Sequence, residues 1–349
     1  MKLGVVLFNL GAPDRPESVR PFLYNLFNDP AILDIPALLR PILARIIAAR
    51  RSSVAREIYG RLGGGSPLLA NTVAQANALK TALADLGRVE VLTAMRYWHP
   101  FTDAAAAELS RLDVDEVVLL PLYPQYSAST TGSSYRAWTA AAKRRGIGVH
   151  TRGICCYPAE PGFIAAIAAL TRPVYERTQA VFPGKPPRIL FSAHGLPKKM
   201  VERGDPYQAQ VEMTAAAVVK ALAIPNLDWQ VCYQSRVGPL EWIGPYAEAE
   251  IARAGKDGVP LVVVPVAFVS EHSETLVELD ITYRDEARKH GVPYYERVPT
   301  VGTHPKFIAG LARLVREALK RPAHLAPDGG TRLCPTTSSR CALVELQRF

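Results

Sequence analysis

The chain has 349 residues, 48% of them hydrophobic and 21% charged, with a formal net charge of +9 and a pI near 9.3. That length favours two domains over one small core, and five cysteines, an odd number, argue against a secreted disulfide framework. The charge suits an acidic small molecule, an anionic membrane surface or nucleic acid, but the basic residues are scattered and no RNA-binding signature or zinc-finger spacing occurs, so nucleic acid is set aside.

In chain order, LGVVLFNLG (3–11) is a short apolar run that contains Asn9 and flows into a Gly-Ala-Pro-Asp turn. It reads as a buried strand and not as a signal peptide. Residues 20–51, RPFLYNLFNDPAILDIPALLRPILARIIAARR, mix bulky apolar side chains with arginines and carry prolines at 30, 36 and 41. This predicts an exposed apolar flap rimmed by arginine, suited to a membrane surface, a subunit interface or the lip of a greasy pocket. RLGGGSPL (61–68) follows no strand and is expected to be a hinge or lid. A helix is expected over 66–87, then strands VEVLTAMRY (89–97) and EVVLLPLYP (116–124). The hydroxyl-rich LYPQYSASTTGSSYRAW (122–138) leads into another helix, and its hydroxyls and N–H groups suit a carboxylate or phosphate. It matches neither dinucleotide fingerprint nor P-loop.

Between 157 and 187 the rhythm breaks, and FPGKPPR (182–188) reads as a connector. Strands RILFSAHG (188–195), WQVCYQS (229–235) and VPLVVVPVAF (259–268) follow, with helices at 210–224 and 304–321. Continuous apolar strands alternating with helices predict parallel sheets covered on both faces. The fold class is therefore α/β, in two doubly wound halves with a ligand cleft between them. The expected divisions are 1–157, with the lip 20–51; 158–303; a terminal helix 304–321 packing back on the first half; and a cysteine-bearing, turn-rich extension 322–349. No run reaches the roughly 18 apolar residues that span a bilayer, which points to a cytoplasmic protein, at most peripheral at the inner face of the membrane.

Two polar clusters carry the chemistry. His194 closes an apolar strand just before Gly195 and Pro197, at the carboxyl edge where open α/β folds place their sites. FVSEHSETLVELD (268–280) crowds Glu271, His272, Glu274 and Glu278 at the next strand end, and spacings of three and four set the three glutamates on one helical face. An imidazole opposed by carboxylates suits a divalent metal or proton abstraction. Without thiolates or a four-ligand cage, such an open site lets the metal pass through.

In order, LFNLGAPD, LFNDP, RLGGGSP, MRYWHP, YPQYSASTTGSS, FSAHGLP, RGDPY, CYQSRVGPLEWIGP and FVSEHSETLVELDI resemble the ferrochelatases over about residues 3–320. The resemblance implies two Rossmann-like domains of chelatase type around a porphyrin cleft. It also implies insertion of Fe²⁺ into protoporphyrin IX to give protohaem. His194 and Glu274 then contact iron and take protons from opposite sides of the macrocycle, supported by His272 and Glu278; Thr282 stands where many relatives carry a further acid. Arg50, Arg51, Arg96, Tyr97, Tyr123, Tyr126, Ser129, Thr130 and Trp242 line the porphyrin pocket. The flap becomes a lip able to rest on a membrane. Cys155 or Cys156 with Cys334 and Cys341 fits the arrangement of bacterial relatives that hold a [2Fe–2S] cluster, while Ala128 breaks the animal pattern. Four thiolates are needed, and adjacent Cys155 and Cys156 are not expected to reach two corners of one iron easily. Cys232 reads as a core residue. A monomer or homodimer is compatible. The competing readings are a two-lobed carrier of a tetrapyrrole or metal, and a related cobalt chelatase.

Overall fold

The strand and helix alternation legible in the sequence builds two parallel sheets. The computed structural model describes residues 2–322 and 324–346; residues 1, 323 and 347–349, which fall within the expected first domain and C-terminal extension, lie outside the described residues. Backbone contacts divide the chain into one unit of Met1–Cys156, Leu311–Leu333 and Cys341–Phe349 and another of Tyr157–Gly310 and Cys334–Arg340.

The first unit runs β1 (Lys2–Asn9), α1 (Val19–Phe27), α2 (Arg40–Gly60), α3 (Leu68–Ala82), β2 (Arg88–Met95), α4 (Thr102–Leu109), β3 (Glu116–Pro121), α5 (Thr131–Arg145) and β4 (His150–Ile154). The strands pair in parallel in the order β2-β1-β3-β4. β1 is central, and Leu3, Val5, Val6, Leu7 and Phe8 are wholly buried, as its unbroken apolar run requires of a strand covered on both faces. Phe8 meets Tyr135 and Trp138 of α5 edge to face, with ring centroids 5.5 and 6.1 Å apart.

The second unit runs α6 (Pro161–Val181), β5 (Arg188–His194), α7 (Lys198–Glu202), α8 (Tyr207–Leu222), β6 (Trp229–Gln234), α9 (Ala247–Asp257), β7 (Leu261–Pro265), a π-helix (Glu274–Thr282), α10 (Tyr283–Lys289) and β8 (Tyr295–Arg297). Its strand order, β6-β5-β7-β8, repeats that of the first sheet. Helix α11 (Pro305–Lys320) follows, and the division between the units falls within it. The turn-rich tail then contributes β9 (Leu325–Ala326), a fifth parallel strand beside β4, and α12 (Ala342–Glu345).

Four local expectations are revised. The gap between 157 and 187 is filled mostly by α6; Pro161 occupies its first turn, where a missing N–H costs nothing, and buried Glu160 accepts the Phe163 N–H at 2.6 Å as its cap. The flap is half core. Phe22, Leu23, Ala44 and Ala48 are buried, whereas Leu38 (89% exposed), Leu39 (58%), Ile42 (56%) and Ile46 (42%) face outward. Its prolines fall where helices tolerate them, Pro30 and Pro36 between α1 and α2 and Pro41 in the first turn of α2. The glycine run at 63–65 is no loose hinge: the Ser66 N–H donates to the Pro13 carbonyl at 2.8 Å, and a Cβ on Gly65 would stand 2.3 Å from the Asp14 oxygen. Glycine is there for close approach. The tail takes its shape in part from the edge of a sheet.

Candidate active site

In a parallel sheet whose order is second-first-third-fourth, the connections leave the first and third strands toward opposite faces, opening a crevice at their carboxyl ends. In the second unit those strands are β5 and β7. His194 is the last residue of β5 and pairs in register with Gln234, the last of β6. The segment after β7 carries Glu271 and His272 into the π-helix that starts at Glu274. Three adjacent strand ends thus deliver the sequence-predicted residues to one edge. The π-helix itself is a rare wide turn, found mostly at functional positions.

His194 Nε2 stands 3.9 Å from Glu274 Oε1. The Nδ1 of His194 lies 2.6 Å from the Gly195 carbonyl, which can only accept, so Nδ1 carries a hydrogen and Nε2 is the ring atom turned toward Glu274. Trp242 packs beside it, with ring centroids 6.1 Å apart, and a Cβ on Gly195 would come within 3.1 Å of the indole. This geometry alters one expectation. A flat macrocycle between two groups, in contact with each at about 3.5 Å, would hold them about 7 Å apart; His194 and Glu274 stand closer than that, at 3.9 Å.

His272 accepts the Glu274 N–H on Nδ1 at 3.1 Å and stacks edge to face on Phe268 at 4.9 Å. Burial pushes its imidazole below the usual range, against the pull of Glu274 and Glu271, so it is held neutral with its hydrogen on Nε2. Glu278 is wrapped by donors: Ser235 N–H (2.9 Å), Ser235 O–H (2.5 Å), Gln234 Nε2 (3.0 Å) and Tyr283 O–H (3.4 Å). Burial first, then the neighbouring Glu274 charge, push its carboxyl above the ordinary carboxylate range. Gln234 and Ser235 lie within CYQSRVGPLEWIGP, yet residue-type reasoning passed them over. The available signal was a glutamine ending an apolar strand beside His194.

Glu271 leaves the cluster. The π-helix begins only at Glu274, so the three-residue spacing does not align the two, and Arg297 takes Glu271 instead. The Arg297 guanidinium donates from Nη1 to Glu271 at 2.9 and 3.1 Å, and from Nε and Nη2 to Asp280 at 2.8 and 2.7 Å. Burial alone would raise the Glu271 pKa; Arg297 and hydrogen bonds from Thr275 and the Thr300 N–H outweigh it and hold the carboxyl below its usual range.

The other expected residues belong to the first unit. Asp29 gathers several of them: its Oδ2 accepts Arg96 Nη2 at 2.6 Å, the Tyr97 hydroxyl at 2.9 Å and the Ser133 hydroxyl. Tyr97 and Tyr126 are fully buried and Ser129 nearly so. Their side chains support the interior, with Tyr126 O–H reaching Glu345 at 3.4 Å and the Ser129 hydroxyl 2.9 Å from that of Ser127. Arg96, Tyr123 and Thr130 keep some surface, as do Arg50 and Arg51, and Arg51 lies over the Phe27 ring at 5.9 Å. Cys155 and Cys156 directly follow β4, with their Sγ atoms 3.8 Å apart, packed with Tyr126 and Ala342. Cys341 immediately precedes α12. Cys334 belongs to the second unit, where it accepts Gln210 Nε2 at 3.2 Å, and Cys232 is a buried strand residue, as expected. Among the described residues no three His, Cys, Asp or Glu side chains are gathered into a metal cage.

Comparison with known proteins supplies the family. The ferrochelatase family model matches residues 2–319. The chain is 51% identical over 350 residues to the ferrochelatase of Caulobacter vibrioides (strain NA1000 / CB15N), covering 99% of this chain and 98% of that protein. It is 50% identical over 347 residues to that of Phenylobacterium zucineum, covering 98% of each. Among solved structures, the sirohydrochlorin chelatase of Bacillus subtilis subspecies spizizenii in complex with cobalt matches with a TM-score of 0.53 at 11% identity, covering 92% of this chain and 97% of that one. At that identity the match speaks for the chelatase fold alone, while the family model and the near-full-length relatives establish that the chain belongs to the ferrochelatases.

Proposed function

We propose that His194 and Glu274 jointly receive ferrous iron and the pyrrole protons, working from one side of the porphyrin. The overall reaction is that of the family: Fe²⁺ enters protoporphyrin IX, protohaem forms and two protons leave, which makes the chain a lyase of the metal-chelatase class. The observation that carries the assignment is the 3.9 Å separation of His194 Nε2 from the Glu274 carboxylate at the β5–β7 crevice. Metal–ligand bonds of about 2.1 Å to imidazole and carboxylate allow one ion to meet both. Imidazole and carboxylate are also side chains of the kind that accept protons, two for the two N–H groups that must be lost. His272, with Nδ1 occupied by the Glu274 N–H, holds the start of the π-helix.

In this reading Arg96, Tyr123, Thr130, Arg50, Arg51 and Trp242 touch the porphyrin, arginine suiting its propionates, and Tyr97, Tyr126 and Ser129 brace them. The outward Leu38, Leu39, Ile42 and Val54, with Arg40, Arg45 and Arg56 alongside, support contact with an anionic membrane surface from which a poorly soluble porphyrin arrives. No helix among the described residues is long and apolar enough to cross a membrane. Cytoplasmic placement at the inner face follows from the same reading.

A [2Fe–2S] cluster fits these residues only in part. Thiolates about 2.3 Å from a tetrahedral iron stand about 3.8 Å apart, and the Cys155 and Cys156 Sγ atoms are 3.8 Å apart. The set of four with Cys334 and Cys341 is not assembled, and no step of insertion runs through it.

The test is anaerobic haem formation by His194→Ala and Glu274→Gln, with protoporphyrin binding followed by fluorescence. Both variants should bind porphyrin like the parent and form haem at least about a hundredfold more slowly, the usual reach of acid–base catalysis. Insertion at the parental rate by either would remove that residue from the assignment. A parent that binds porphyrin and iron but forms no haem would make it a carrier.

A further inference from the structure

We propose that Gln234 and Ser235, at the carboxyl end of β6, are positioning residues that close Glu278 to metal and leave Glu274 as the one carboxylate open to iron opposite His194. The proposal rests on the His194–Glu274 reading above.

A carboxylate has about four lone-pair sites. On Glu278, Oε1 accepts the Ser235 N–H at 2.9 Å and the Tyr283 hydroxyl at 3.4 Å, and Oε2 accepts the Ser235 hydroxyl at 2.5 Å and Gln234 Nε2 at 3.0 Å. Nothing is left for a metal. Glu274, one π-helical turn earlier, has its carboxylate 3.9 Å from His194 Nε2, and among the described residues no side-chain donor lies within hydrogen-bond distance of it. Two acids in one short helix are thereby given different tasks by the strand beside them.

The lock is built from both ends. Gln234 is wholly buried. Its Oε1 accepts the Ser192 hydroxyl at 2.6 Å, which turns Nε2 toward the π-helix, where it donates to the Glu274 carbonyl at 3.2 Å as well as to Glu278. The flipped amide would set an oxygen against two acceptors. The Gln234 carbonyl also accepts the Gly195 N–H at 2.9 Å, tying the same residue to the strand end that carries His194. Ser235 has φ +65°, a left-handed conformation that a non-glycine residue adopts at a cost, and this turn aims both its N–H and its hydroxyl at one carboxylate.

Two substitutions separate the parts. Ser235→Gly keeps the backbone turn and its N–H and deletes only the hydroxyl; Gln234→Met deletes the amide at similar length. In the full chain without porphyrin, Co²⁺ affinity is measured by competition with a chromophoric chelator, and insertion rates are measured against Fe²⁺ and protoporphyrin separately. Unlocking Glu278 gives the metal a third ligand, so both variants should hold Co²⁺ about tenfold tighter and insert iron about tenfold more slowly, within the range of outer-shell effects on metal sites. The KM for protoporphyrin should stay parental, and adding Glu278→Gln to Ser235→Gly should return Co²⁺ affinity to the parental value. Co²⁺ affinity within twofold of the parent in Ser235→Gly overturns the proposal, whether or not Gln234→Met folds. His194→Ala and Glu274→Gln in the same assay distinguish the failures. If those two are silent, the iron-site reading has failed; if they abolish metal binding while Ser235→Gly is silent, only the positioning role has.

Discussion

The Arg297 clamp gives a prediction that can be worked from the geometry. Its guanidinium is only 9% exposed and donates in fork fashion to Asp280 and to both oxygens of Glu271, which are 28% and 24% exposed. Those two acids bracket the start of the π-helix. Removing one partner of a fully buried pair costs about 3–5 kcal/mol; with the carboxylates partly in water, Arg297→Met should cost about 2–3 kcal/mol. For a unit of this size, with m of about 3 kcal/mol/M in urea, that is a midpoint shift of roughly 1 M. Arg297→Lys should recover only part of it, because one ammonium cannot fork to two carboxylates. The pH dependence has a definite sign. The folded Glu271 pKa lies below its usual 4.5, so its contribution is whole above that value and lost as pH falls through the lower folded one. Arg297 is raised and stays charged throughout. Parent and Arg297→Met should therefore differ most near pH 7.5, begin to converge below about pH 4.5, and come together only as pH falls through the lower folded value, toward about pH 2–3. Urea unfolding at both ends of that range decides the matter: a midpoint shift under about 0.2 M at pH 7.5, or a gap unchanged by acid, would refute the clamp.

Three further outcomes are expected. Gly310→Ala drives a methyl to 2.2 Å from the buried Glu160 carboxylate that caps α6; it should lower the thermal midpoint by several degrees, the equivalent of about 2 kcal/mol. Replacing Leu39, Ile42 and Ile46 together by glutamine should weaken cosedimentation with anionic vesicles at least about tenfold and leave insertion into detergent-dispersed porphyrin unchanged; equal cosedimentation removes the membrane contact. Because the thiols fit a cluster only in part, protein purified anaerobically from iron-replete cells should be free of acid-labile sulfide; sulfide that Cys155→Ser removes would overturn this and restore the cluster.

What the sequence made legible was local. Continuous apolar runs marked the strands because both faces of each sheet are covered, and His194 stood out because a titratable group at the end of such a run has no packing reason to be there. Glu274 followed from the next strand end. The partners of these residues were not legible, because long-range pairing sets them. Arg297 lies 26 positions beyond Glu271 and takes it out of the acidic cluster. The π-helix breaks the three-and-four spacing on which the single acidic face rested. Gln234 and Ser235 carry no formal charge, so a search for titratable side chains passes over them, although they decide how Glu278 is used. Helix α6 was hidden by its prolines, one of which is at a position where helices accept it.

Both units have the strand order second-first-third-fourth, and therefore the same crevice at the carboxyl ends of their first and third strands. They furnish it differently. In the second unit the edge holds an imidazole, two carboxylates and the donors that restrain one of them. In the first, β2 and β3 run out into Arg96, Tyr97 and the hydroxyls of 126–134, with Asp29 holding Arg96, Tyr97 and Ser133 on one oxygen. The first set can exchange protons and meet a cation; the second offers guanidinium and hydroxyl donors to an anion. The sheet topology is common to both, so it explains where chemistry is placed and nothing about its kind. A fold match at 11% identity carries no more than the sheets themselves can. The assignment to iron insertion therefore stands on His194, Glu274 and the near-full-length relatives, and within the site the difference between Glu274 and Glu278 comes from the neighbouring strand.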